Sequence, residues 1–106
     1  MDQRKIQTGY RALLKAAAGT VASSDSGKIR KALDLAVRSC SGCTTITGEP
    51  EIIHVLSVAR IIAGEMGLGL TSIITAILHD SYGRLELSDE EIKNLFGEKV
   101  VDILKG

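Results

Sequence analysis

There is no tryptophan in this chain, and its 106 residues include only one phenylalanine, Phe96, and two tyrosines, Tyr10 and Tyr82. A core of stacked aromatic rings is therefore excluded. The apolar 44% of the chain must pack through Ile, Leu, Val and Ala, which interdigitate well between helices. Proline occurs once, at Pro50, so little breaks a helix, and the many Ala and Leu argue for helices over a sheet of short strands. Two cysteines, Cys40 and Cys43, are too few for a disulfide scaffold, and the expected compartment is the reducing cytoplasm. No apolar run approaches the roughly 18 residues of a membrane span, and the charged N-terminus has no signal-peptide core. No membrane partner is expected.

Net charge is absent too, since 13 basic and 13 acidic side chains cancel. They are unevenly placed. Residues 1–50 hold eight Lys/Arg against four Asp/Glu, and residues 51–106 hold five against nine. A nucleic-acid-binding domain would instead carry a basic face on a basic chain, so no nucleic-acid partner is expected. The plain reading is two halves that attract each other, or a chain cut from something longer. The length fits one domain, 1–106, large enough to bury a core but not a large one.

Apolar periodicity marks the elements. Ile6, Tyr10, Leu13, Leu14 and Ala17 form a helical stripe over residues 4–18 that stops at Gly19. After a serine-rich loop, a second helix carries Ile29, Leu33, Ala36, Val37 and Cys40 and ends near Gly42. Pro50 suits the first turn of a third helix, where its missing N–H costs nothing. That helix is apolar nearly all round, through Ile52, Ile53, Val55, Leu56, Val58, Ala59, Ile61 and Ile62, and is expected at the centre of the fold. Thr71 or Ser72 is expected to cap a fourth helix, and Ser88–Glu91 reads as a capping box opening a fifth. Gly97 ends the fifth, and Val100, Val101, Ile103 and Leu104 form a short last helix. The fold class is all-α, with about six helices.

The chain has only two histidines. His54 falls in the second turn of the third helix, and His79 with Asp80 forms a dyad at the C-terminal end of the fourth. If the two helices pack side by side, two imidazoles and a carboxylate converge, which suits Mn²⁺, Fe²⁺ or Zn²⁺. A lone histidine on an apolar helix is more often a satisfied core residue. The dyad is more telling, because burying it requires partners for both side chains. Three ligands would leave positions open for water and substrate, as catalytic sites require. Other motifs carry less. The Cys40-Ser41-Gly42-Cys43 spacing has no second CxxC or nearby histidine to complete a zinc site. Gly64, Gly67 and Gly69 terminate a helix rather than cradle phosphate. Asp89, Glu90 and Glu91 favour the dipole of a helix start.

From Gly48 to Gly106 the chain reads GEPEIIHVLSVARIIAGEMGLG, then TSIITAILHD, then Glu90-Glu91-Ile92 and Phe96-Gly97. This stretch resembles the HD domain of RelA/SpoT-type enzymes, which make and degrade the alarmone (p)ppGpp, whereas residues 1–47 fit the family's preceding helices only loosely. The resemblance implies an HD-domain helical bundle in which His54, His79 and Asp80 are three of four Mn²⁺ ligands. The fourth would lie tens of residues beyond Gly106, so a fragment or a truncated paralogue is expected. An incomplete helical set exposes apolar surface, so self-association is expected as well. The resemblance also implies guanosine tetra- or pentaphosphate as ligand, Thr47 as a substrate-binding residue, and the synthetase domain of a longer parent chain as partner. The family reaction removes the 3′-pyrophosphate with metal-activated water and a Glu-Asp pair.

The departures from the family pattern fall on that chemistry. Gly83-Arg84 stands where the family has Glu-Asp, and arginine is no general base at neutral pH and is expected to repel the metal. Thr45-Ile46 replaces a basic Arg-Lys pair, Glu51 an aromatic, Val55 a proline, and Ser39-Cys40 an Ala-His. The pattern implies a hydrolase-inactive domain with a regulatory or structural role in alarmone metabolism. Two other readings stay open. One is an active Mn²⁺-dependent hydrolase in which Asp89 or Glu86 approaches the metal. The other is a plain helical interaction module whose histidines are packing residues.

Overall fold

Each apolar stripe becomes a helix. The computed structural model describes residues 3–39, 43–44 and 46–106. Along them run six α-helices: α1 Gln3–Ala17, α2 Ser26–Ser39, α3 Glu51–Gly64, α4 Leu70–Leu78, α5 Asp89–Phe96 and α6 Glu98–Lys105. Single 3-10 turns, Ser23–Asp25 and Tyr82–Arg84, precede α2 and follow α4. Among the described residues there is no strand, and Thr44 and Pro50 form an isolated antiparallel bridge. The fold is all-α, as the composition and periodicity predict.

The helix ends follow local chemistry. At α5 the Ser88 hydroxyl accepts from the Glu91 N–H at 3.1 Å, while the Glu91 carboxylate accepts from the Ser88 N–H at 3.2 Å. This is the capping box expected from the sequence, and it satisfies two otherwise orphaned donors. Gly97 then sits at φ 106° and ψ 160°, a conformation that a side chain disfavours, and it turns α5 directly into α6. At α4 the sequence expectation is corrected. Neither Thr71 nor Ser72 caps the helix; Gly69 does, through its carbonyl, which accepts from the Ile73 N–H at 3.1 Å. Starting at Leu70 brings that side chain against the core.

Packing centres on α4. Five of its nine residues, Ile73, Ile74, Thr75, Ile77 and Leu78, are buried, and it lies against α2, α3 and α6. Its one buried hydroxyl, on Thr75, donates to the Thr71 carbonyl at 2.7 Å, so no polar group is stranded. α3 is less enclosed than its composition suggests. It buries Ile52, Val55, Leu56, Ala59 and Ala63 between α1 and α4, but Ile61 remains 41% exposed. His54, Ser57 and Arg60 share that outer surface, and they break the apolar ring. α1 approaches α3 closely at Gly9, where an added Cβ would stand 2.9 Å from the Leu56 Cδ1. Among the described residues, no helix is long and apolar enough to cross a membrane.

Candidate functional site

α3 and α4 pack side by side, and both histidines emerge on one side of that contact. α3 starts at Glu51, immediately after Pro50, whose carbonyl accepts from the Ile53 N–H at 3.0 Å. His54 follows one turn later and is exposed. α4 ends at Leu78, so His79 and Asp80 lie just beyond the last helical turn. His79 still closes the helix through its N–H to the Thr75 carbonyl at 2.8 Å. The dyad therefore projects past the core. Its side chains are 72% and 53% exposed, contrary to the expectation of a buried pair. The dyad sits at the C-cap of α4, beyond its buried face.

Three donors share one cleft. His54, His79 and Asp80 line a cavity of about 430 Å³ between α3, α4 and α6. Its walls are largely apolar, with Val58 and Ile62 from α3, Ala76 from α4 and Ile103 from α6. His54 and Asp80 also line a second, polar cleft of about 630 Å³, with Thr44, Ile46, Thr47, Glu49, Glu51 and Arg84. The two residues thus form the divide between an apolar and a polar hollow. Thr47 lies in the polar hollow and is exposed.

The donors are not assembled as they stand. His79 Nδ1 lies 3.3 Å from Asp80 Oδ1. Among the described residues, no group of three or more His, Cys, Asp or Glu side chains is gathered to hold a metal ion. The chemistry of the set, two imidazoles and a carboxylate, nonetheless suits a divalent transition metal. All three side chains are exposed, and exposed rotamers interchange on the nanosecond scale.

Arg84 has a partner in α3. Its Nη2 donates to Glu51 Oε1 at 2.7 Å, across 33 residues of sequence, with the two side chains 38% and 22% exposed. The guanidinium is thus paired with a carboxylate from α3. Gly83 contributes no side chain. Asp89 and Glu86 are not in either cleft beside the histidines. Asp89 accepts from the Tyr82 phenol at 2.5 Å and lies 3.8 Å from Lys105 Nζ. That hydrogen bond, more than desolvation or the Asp89 charge, holds the Tyr82 phenol above its ordinary value. Glu86 lines a separate hollow with Arg38 and Leu87.

Sequence reasoning did not single out Glu49, which lines the polar cleft. Its place beside Pro50, at the entry to the helix bearing His54, was the available signal. Cys43 is not a free thiol, and its backbone carbonyl accepts from the Glu51 N–H at 2.9 Å. Cys40, Ser41, Gly42 and Thr45 lie outside the described residues, and with them the expectations for the CxxC spacing and for Thr45.

Residues 32–106 match the family described as HD domain, and the chain belongs to that family. The match reaches back through most of α2, further than the stretch from Gly48 on which the resemblance was read. Over 60 residues, 57% of this chain, it is 47% identical to a guanosine-3′,5′-bis(diphosphate) 3′-pyrophosphohydrolase of Aquifex aeolicus, covering 8% of that protein. It is 36% identical over 78 residues to a GTP pyrophosphokinase of Myxococcus xanthus, 74% of this chain and 10% of the relative. With the bifunctional (p)ppGpp synthase/hydrolase SpoT of Escherichia coli it shares 33% over 79 residues, 74% of this chain and 11% of the relative. The chain thus spans about a tenth of the length of the curated relatives it matches, and its likeness is to the HD domain of RelA/SpoT proteins.

Proposed function

We propose that this HD domain binds a divalent cation, Mn²⁺ for preference, through His54, His79 and Asp80, and does not itself hydrolyse (p)ppGpp. Its role would be regulatory or structural within cytoplasmic alarmone metabolism, with guanosine tetra- or pentaphosphate as ligand and a synthetase domain as partner. The chemistry a divalent ion supplies in such a site is polarisation of a phosphoryl oxygen and activation of water.

The observation that carries the inactive reading is the Glu51–Arg84 pair. The resembling family places its acidic pair at positions 83 and 84, and here those positions offer no side chain and a guanidinium already engaged by a carboxylate. Neither group accepts a proton from water at neutral pH. The cation reading is supported by the polar cleft, where Glu49, Glu51 and Asp80 outnumber Arg84. Such a lining repels a polyphosphate unless a cation is bound there.

A second reading, an active hydrolase, is favoured by the hydrolase names of the relatives and by Glu49, a residue that lines the polar cleft and whose carboxylate is of the type a general base requires. One assay separates the two. Purified chain is incubated with ppGpp and Mn²⁺, and pyrophosphate release is followed beside the His79→Ala and Glu49→Gln variants. No release above the variants is the expected result. Release that disappears in both variants would establish the active reading.

A further inference from the structure

We infer that the Glu51–Arg84 ion pair is a positioning clamp that sets the spacing between His54 and the His79-Asp80 dyad. The inference rests on the proposal that these residues bind a cation, and it assigns Glu51 and Arg84 a part in forming that site.

Each end of the clamp is joined rigidly to a donor. Glu51 is the first residue of α3, and His54 lies three residues on, where side chains share a face of the helix. On the other side, backbone hydrogen bonds close successive turns between the end of α4 and the arginine. His79 N–H donates to Thr75 at 2.8 Å, Ser81 N–H to Leu78 at 3.0 Å, and Arg84 N–H to Ser81 at 2.8 Å. Ser81 is 2% exposed and pins that turn to the core. Joining Glu51 to Arg84 therefore fixes the first turn of α3 against the turn that follows α4. Both residues line the polar cleft that also holds His54 and Asp80, so the clamp acts at the level of the donors. The Glu51–Arg84 pair adds a polar tie to the apolar α3–α4 contact at this end of the helix pair. A charge-assisted bond of 2.7 Å is short and directional enough to supply one.

A clamp differs from a purely electrostatic effect in its signs. If charge alone mattered, Arg84→Met would remove a cation and tighten metal binding, whereas Glu51→Gln would expose the arginine and weaken it. A clamp predicts that both variants weaken binding and that the swap Glu51→Arg with Arg84→Glu, which keeps the net charge, restores it.

The test titrates Mn²⁺ alone into the full chain and into these three variants by calorimetry. Melting temperatures and the ring resonances of the two histidines are recorded on the metal-free proteins at one pH. The expected result is a loss of about three- to tenfold in affinity for each single variant and recovery to within about twofold in the swap. The histidine resonances should move in the single variants and return in the swap, with melting still cooperative. Opposite signs for the two single variants, or unchanged affinity in both, would overturn the clamp while leaving the metal site standing. Absence of Mn²⁺ binding by the native chain would instead sink the metal reading. The resonances then decide alone: shifts that the swap restores support the clamp, and unmoved resonances refute it.

Discussion

Leu78 and His79 are neighbours in sequence, yet the account assigns one to the fold and the other to the site. Replacing each by alanine separates the two roles. Leu78 is fully buried at the end of α4, the helix packed against three others. Truncation of such a leucine removes its transfer free energy and leaves a cavity, about 3 kcal/mol within a usual range of roughly 2 to 5. For a domain of this size each kcal/mol lowers the melting temperature by about 4–8 °C, so Leu78→Ala should melt about 12–24 °C earlier. His79 is 72% exposed, and its contact with Asp80 is 3.3 Å long between two solvated groups. A solvated pair of this kind contributes roughly 0–0.5 kcal/mol, so His79→Ala should melt within a few degrees of the native chain. Urea unfolding followed by far-UV circular dichroism gives both values, with an unchanged denaturant slope showing that the unfolded state is the same. A cost above about 1.5 kcal/mol for His79→Ala would refute the reasoning and make the histidine a packing residue of a plain helical module. A cost below about 1 kcal/mol for Leu78→Ala would refute the placement of α4 at the centre.

Two further outcomes follow from local geometry. Gly97→Ala should cost about 1–3 kcal/mol, because φ 106° and ψ 160° disfavour a side chain while an added Cβ meets no neighbour within 4 Å. Gly19→Ala, also without a neighbour within 4 Å but lacking a positive φ, is the control and should stay within about 0.5 kcal/mol in the same urea melts. Tyr82 gives a pH signature. Its phenol donates to Asp89, which raises its folded value above the ordinary one near 10. The contribution is therefore fully present below the unfolded value and is lost as pH rises through the folded one. Urea midpoints should fall more steeply above about pH 10 for the native chain than for Tyr82→Phe, and parallel curves throughout would refute the hydrogen bond.

Much of this was legible in the sequence because it is local. The apolar stripes set the helices, Ser88–Glu91 forms the capping box its spacing promised, and Gly97 ends α5. The two histidines and Asp80 were legible as a group once α3 and α4 were taken to be adjacent, and they do share a cleft. What the sequence hid depends on where a helix stops and what lies opposite it. The dyad's place at the end of α4 was legible, but its exposure depends on what other elements pack around that end, which periodicity along one helix does not give. The pairing of Arg84 with Glu51 joins positions 33 residues apart, beyond any local pattern. A signal existed even so: both residues stand at departures from the family pattern, and their charges are opposite. Enclosure of α3 was overestimated because hydrophobic content was read without weighing Ser57 and Arg60 on the same surface as His54.

The central claim is that this HD domain keeps a cation site built on α3 and the end of α4. Calorimetric titration of Mn²⁺ into the purified chain, beside His79→Ala, tests it most directly. The account predicts one-to-one binding by the native chain and its loss in the variant, with both proteins equally folded. No binding by the native chain, or equal binding by the two, would contradict it.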